Sequence, residues 1–100
     1  MGNAEKVAGI FKLFSVGARV RIVQALKRRA MCVTELTSQL GISQEATSQH
    51  LRVLRNAGVV WFQKRGFNVY YSLDKKNIAL MYKSVSALFE PGKTQGRRSV

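Results

Sequence analysis

One cysteine, one histidine, one proline and five acids stand among the 100 residues of this chain. Cys32 on its own can close no internal disulfide and no all-cysteine metal site, and it fits a reducing compartment. No apolar run approaches the roughly 18 residues that read as a membrane span. The start, Met1 to Lys6, has no apolar signal region, and Lys6 stands where a myristoylation signal needs Ser or Thr. There is no paired carboxylate and no glycine-rich phosphate loop, and Cys32 and His50 fall on different segments without a third group. These absences argue against an enzyme, against a resident metal or cofactor and against a membrane partner.

What is abundant is positive charge. Seventeen Lys and Arg face Glu5, Glu35, Glu45, Asp74 and Glu90, for a net charge of +12. Hydrophobic residues make up 46%, an ordinary globular share, so the charge sits on a folded domain and not on a disordered polyelectrolyte. A chain of this length buries about 60 to 70% of its unfolded surface, enough for one modest core. A small domain this basic is expected to bind a polyanion, with nucleic acid ahead of an anionic membrane. The cations are spread along the chain and not gathered on one amphipathic helix, which weakens the membrane reading.

Hydrophobic periodicity divides the chain. Val7, Ile10, Phe11 and Phe14 recur at helical spacing over about residues 3–14. A second helix follows Gly17 and carries Val20, Val23 and Leu26. A third has Val33, Leu36 and Leu40, with Gly41 as a left-handed cap. A fourth runs from Ser43, an N-cap, to Gly58, with Glu45 in the first turn where the helix dipole favours an acid. Two helices joined by so few residues suggest a helix-turn-helix. Val59 to Phe62 and Val69 to Tyr71 then read as a β-hairpin around the connection Lys64 to Asn68. Asp74 caps a last helix that Pro91 ends, and residues 91–100 read as a basic flexible tail with Arg97 and Arg98. The expected fold is mainly α with a small β-hairpin, a winged helix-turn-helix of order α-α-α-α-β-β-α over residues 1–90.

The fourth helix separates by face. At about 100° per residue, Ala46, Thr47, His50, Leu51, Val53, Leu54 and Ala57 fall on one arc, and Gln44, Glu45, Ser48, Gln49, Arg52, Arg55 and Asn56 on the other. A merely solvated face usually carries long Lys and Glu. Here Gln44, Ser48 and Gln49 offer short uncharged donors and acceptors suited to base edges, and Glu45 either accepts from cytosine or serves the helix N-terminus. Ser43, Thr47, His50, Arg52 and Arg55, with Lys64 and Arg65 near the hairpin tip, are the candidates for the DNA backbone. His50 lies inside the packing arc and reads first as a hydrogen-bonded, part-buried histidine.

Trp61 and Phe62 at the hairpin base are expected to pack. Exposure of either beside the basic face would favour RNA, whose readers stack bases on aromatics. The same charge would also serve a non-sequence-specific DNA-binding module or a protein-interaction module. The outer helices carry apolar stripes larger than the core of a small winged helix needs, Ile10, Phe11 and Phe14 on the first, and Met81, Tyr82, Val85, Leu88 and Phe89 on the last. Together they suit a symmetric dimer interface.

From about Val16 to Leu73 the chain resembles the ArsR family of bacterial and archaeal winged-helix repressors. The resemblance rests on Arg19-Val20-Arg21-Ile22-Val23, on Cys32-Val33-Thr34-Glu35-Leu36, on Leu40-Gly41-Ile42-Ser43-Gln44, and on the run Ser48-Gln49-His50-Leu51 through Ala57-Gly58-Val59-Val60. Lys64-Arg65-Gly66 leading to Val69-Tyr70-Tyr71-Ser72-Leu73 completes it. The resemblance implies a homodimer on a palindromic double-stranded DNA operator, with half-sites one helical turn apart and release by an effector. It also implies a cytoplasmic, nucleoid-associated prokaryotic protein. The effector does not carry over. Metal-sensing members carry Cys-Val-Cys in the third helix, where this chain has Cys32-Val33-Thr34. Others place Asp and His along the last helix, where residues 74–90 offer only Asp74 and Glu90 and no histidine. Expected, therefore, are no metal, no cofactor and an unknown effector. Cys32 is foremost a small packed residue, with a thiol sensor activated by Lys27, Arg28 and Arg29 as the second reading.

Overall fold

The computed structural model describes residues 2–92. Its elements are α1 (Asn3–Leu13), α2 (Gly17–Leu26), β1 (Met31–Cys32), α3 (Val33–Leu40), α4 (Gln44–Asn56), β2 (Val60–Arg65), β3 (Asn68–Leu73) and α5 (Lys75–Phe89). This is the winged helix-turn-helix order, with one strand more than the periodicity indicates. β1 pairs antiparallel with β3, Met31 opposite Tyr71 and Cys32 opposite Tyr70, so the sheet runs β1-β3-β2. The basic tail beyond Gly92, with Arg97 and Arg98, lies outside the described residues.

Local chemistry sets the helix ends. Gly41 takes φ +68° at the end of α3, a conformation that is cheap only without a Cβ, and its N–H donates to the Thr37 carbonyl at 2.9 Å. The Ser43 hydroxyl accepts from the Ala46 N–H at 3.0 Å and starts α4. Asp74 does the same for α5, accepting from the Asn77 N–H at 3.1 Å. Between β2 and β3 the connection is tighter than the sequence suggests. Arg65 pairs with Asn68, which leaves Gly66-Phe67 as a two-residue turn with Gly66 at φ +63°.

The core gathers one face of each inner element. Ile22 of α2, Met31 of β1, Leu36 of α3, Leu51 and Leu54 of α4, and Val59 are fully buried together. Phe14, Val23, Ile78 and Met81 pack on its margin. α5 is different: it lies against α1, and none of its 15 residues is buried. No helix of the described residues is long and apolar enough to cross a membrane.

A candidate nucleic-acid interface

The helix-turn-helix is bolted by a threonine pair. Thr47 is completely buried on the inner face of α4. Its hydroxyl donates to the Ser43 carbonyl at 2.9 Å and lies 2.9 Å from the Thr37 hydroxyl of α3. Thr47 cannot reach a phosphate, which corrects its place among the backbone candidates: the hydroxyl is spent on fixing the angle between α3 and α4.

His50 is also held inside the fold. Its Nδ1 accepts a long hydrogen bond, 3.4 Å, from Arg19 Nε, while Arg19 Nη1 donates to the Leu13 carbonyl at 3.2 Å. Arg19 thereby ties the end of α1 to the half-buried imidazole in the middle of α4. Arg21 acts similarly, donating from Nη2 to the Leu40 carbonyl at 2.9 Å, one of the free carbonyls at the end of α3. Neither arginine carries a sequence signal for this role; both lie off the apolar stripe, and only tertiary contact reveals them as struts.

The outer face of α4 is left free. Gln44, Glu45, Gln49 and Arg52 are exposed and Ser48 is half-exposed, and the five line one shallow concave surface. Ser43, just before α4, is exposed, although its hydroxyl is engaged as the N-cap. Arg55 is exposed but not idle: its guanidinium lies 4.2 Å above the Phe62 ring, in cation–π range, and Phe62 meets Tyr71 at 6.0 Å. The wing is thus coupled to α4 through an aromatic step that the sequence does not suggest.

Strand alternation puts Val60, Phe62 and Lys64 on the face toward α4 and Trp61, Gln63 and Arg65 on the other. Trp61 is 48% exposed and Phe62 39%, so the expectation that both pack does not hold. They sit on the edge strand of a three-stranded sheet, where Arg55 of α4 covers part of Phe62 and Trp61 faces away from α4. Arg65 lies 5.6 Å from the Tyr70 ring on the same outer face. At the tip, Phe67 is fully exposed beside Lys64 and Arg65. Its place next to Gly66 is its only sequence signal.

Ile10, Phe11, Phe14, Met81, Tyr82 and Val85 converge on a single apolar surface over α1 and α5. Phe11 is 47% exposed and Tyr82 72%; Leu88 and Phe89, also exposed, lie farther along α5. Cys32 is half-buried at the end of β1 and serves as the N-cap position of α3. Among the described residues, no three His, Cys, Asp or Glu side chains come together as a metal site.

Beside Cys32, the Glu35 carboxylate accepts from the Cys32 N–H and from Arg29 Nη1, each at 3.1 Å. The backbone hydrogen bond, aided by Arg29, holds the Glu35 carboxyl below its ordinary value. A depressed carboxyl stabilises the fold fully above the ordinary carboxylate range, and the contribution is lost as pH falls through the lowered value. Urea unfolding of Glu35→Gln, followed from about pH 7 to about pH 3, is expected to lose less stability on acidification than the parent. Parallel curves would remove Glu35 from the acid response.

The chain as a whole is similar to known regulatory proteins. The family model described as bacterial regulatory protein, arsR family, matches residues 17–61. A transcriptional repressor SmtB homolog from Synechocystis is 33% identical over 86 residues; the match takes in 86% of this chain and 65% of that protein, so the chain spans less than two thirds of that relative's length. The transcriptional activator HlyU of Vibrio cholerae is 32% identical over 87 residues, with 87% of this chain and 81% of that protein covered. Its reduced form superposes with a TM-score of 0.71, covering 87% of this chain and 92% of that one. At 22% identity a domain from Mycobacterium bovis, described as a homodimeric winged helix-turn-helix DNA-binding domain, shares the fold with a TM-score of 0.69, over 86% of this chain and 80% of that one. On the family match and on relatives above 30% identity, this chain belongs to the arsR family of bacterial regulatory proteins.

Proposed function

We propose that the chain is a homodimeric transcriptional regulator that places α4 in the major groove of a palindromic duplex operator. The observation that carries the reading is the outer face of α4: exposed Gln44 and Gln49 and half-exposed Ser48 precede exposed Arg52 and Arg55 on a helix locked in place by Thr47. Short amides and a hydroxyl suit base edges, while the arginines farther along suit the flanking phosphates. Lys64 and Arg65 extend the phosphate track onto the wing, and the family consists of regulators and not of enzymes. A cytoplasmic, nucleoid-associated location follows from this reading.

A dimer is supported by α5. A 15-residue helix with no buried residue, sharing an apolar surface with α1, leaves its stripe open to water within a single chain. The described homodimer of the Mycobacterium bovis domain is the precedent within the fold. The relatives are named both repressor and activator. Repression is the direction proposed, because occupancy of the operator suffices for it and no contact to polymerase is needed. A reporter downstream of the selected operator that rises on co-expression reverses that choice.

Selection from a random duplex pool at near-physiological salt tests the whole reading. A two-fold palindrome with half-sites about 10 base pairs apart is expected. A sequence-independent pool held only at low salt would leave charge as the whole of the binding. The exposed Trp61 favours one rival, stacking of single-stranded RNA on the outer face of the wing. Competition by single-stranded RNA that disappears in Trp61→Ala would establish it.

On the selected duplex, Gln44→Ala or Ser48→Ala is expected to cost about 1–3 kcal/mol and to relax the base preference at one position. Equal loss on every sequence would remove these residues from base reading. Lys64→Ala or Arg65→Ala is expected instead to weaken all duplexes alike and to make the salt slope shallower by about one. An unchanged slope in anisotropy titrations would take the wing off the phosphates.

A further inference from the structure

An open cavity of about 870 Å³ lies between the end of α2, the end of β3 and the first half of α5. Nothing in DNA reading uses it, and it is on a different part of the domain from the α4 surface. Its apolar lining comes from Val23, Leu26, Leu73, Ile78 and Ala79, with the Tyr82 side chain beside them. Its charged lining is of one sign: Lys27, Arg28, Arg29 and Lys75, and no acid.

The four cations are not equally engaged. Arg29 donates to the Glu35 carboxylate and to the Ala30 carbonyl, both at 3.1 Å. Lys27, Arg28 and Lys75 are exposed and form no ion pair among the described residues. Asp74, the acid next to Lys75 in sequence, is occupied by the Asn77 N–H and side-chain amide at 3.1 and 3.2 Å. A concave apolar surface with three unpaired cations at its edge complements a molecule that carries an apolar body and one anionic head. The volume falls in the range of small-molecule sites, about 300–1,000 Å³.

We infer that this cavity binds an amphipathic organic acid, and that the acid is an effector of operator binding. The second half rests on the regulator reading above. The link is physical continuity: Val23, Ile78 and Tyr82 line both this cavity and the apolar surface of α1 and α5 proposed for the dimer. A ligand that seats against α5 there changes the support of the dimer face, and with it the distance between two α4 helices. The coupling is reciprocal, so operator DNA lowers the affinity for the acid by the same factor that the acid lowers the affinity for DNA.

Decanoate is a suitable probe, with decyltrimethylammonium as the same apolar body carrying the opposite charge. Calorimetric titration of the whole chain without DNA is expected to show saturable decanoate binding at one site per chain, and none for the cation. Lys27→Glu combined with Lys75→Glu changes only exposed side chains and is expected to weaken decanoate at least tenfold. Ala79→Phe, which fills the cavity, is expected to do the same. Equal binding of the two probes, or unchanged decanoate affinity in both variants, overturns the site. In a second arm, saturating decanoate is expected to lower affinity for the selected duplex about fivefold or more. Decanoate binding with unaltered duplex affinity overturns the effector role. Calorimetry needs no DNA, so a chain that selects no operator refutes the regulator reading without touching the test of the cavity.

Discussion

Replacing Leu54 by Ala is expected to lower the free energy of unfolding by about 2–5 kcal/mol. Leu54 is fully buried on the inner face of α4, in one cluster with Ile22, Leu36, Leu51 and Val59, and its carbonyl accepts the Val59 N–H at 2.9 Å where the chain leaves the helix. Truncation removes three carbons that lie between α4 and the rest of the domain, and the backbone on both sides is too constrained to close the gap. A domain of this size has about 5–15 kcal/mol in total, so the loss is a large fraction of it. Its functional signature is equally specific. Once corrected for the folded fraction, duplex affinity and base preference are expected to stay near the parent values, because Leu54 has no access to the outer face. Arg52→Ala, on the same helix but exposed, is expected to give the converse, a stability change within about 0.5 kcal/mol and weaker DNA binding. Denaturant unfolding and anisotropy titration of the two variants separate support from contact. A Leu54→Ala loss below about 1 kcal/mol would mean that α4 is not seated as described.

Val85→Glu is expected to convert the proposed dimer to monomers. Val85 is half-buried on the apolar surface that joins Phe14, just past α1, to Met81 of α5. In a two-fold symmetric interface the substitution appears twice, and each carboxylate is moved from water into an apolar contact with no cation to meet it. An uncompensated buried charge costs about 3–5 kcal/mol. Sedimentation at micromolar concentration is expected to give one chain per particle, and binding to the palindrome is expected to fall to that of a single half-site. Lys83→Glu is the control: it places a carboxylate on the same helix at an exposed position off that surface, with a larger change of net charge, and it is expected to leave the proposed dimer intact. A Val85→Glu chain that sediments with the parent would transfer the interface elsewhere.

The two variants also mark how far sequence reasoning reaches. The burial of Leu54 and the partition of α4 into two faces follow from a 3.6-residue period, and the helix ends follow from Ser43, Asp74 and Gly41 acting on neighbours within four residues. The same arc places Thr47 and His50 inward, and the full burial of Thr47 and half-burial of His50 agree with it, while the candidacy of Thr47 as a backbone contact runs against it. The wing is legible as a hairpin from its β-branched and aromatic residues, but composition puts its loop at Lys64 to Asn68, and strand pairing shortens it to Gly66-Phe67.

Short-range information accounts for the helices, their order and the polar face of α4, since capping and amphipathic spacing are properties of adjacent residues. The sequence by itself therefore determined a basic winged helix-turn-helix whose fourth helix has one polar face. Tertiary structure alone decided the rest. Two residues cannot show a period, so β1 exists only as the partner of Tyr70 and Tyr71. The Thr37–Thr47 bolt, the Arg19 strut to His50 and the Arg55 stack on Phe62 join residues 10, 31 and 7 positions apart, and a hydroxyl or guanidinium carries no local sign of which partner it will meet. The cavity ringed by Lys27, Arg28 and Lys75 draws on α2, β3 and α5 at once. Its single sign of charge is a consequence of packing three segments together, each of which, taken alone, is merely basic.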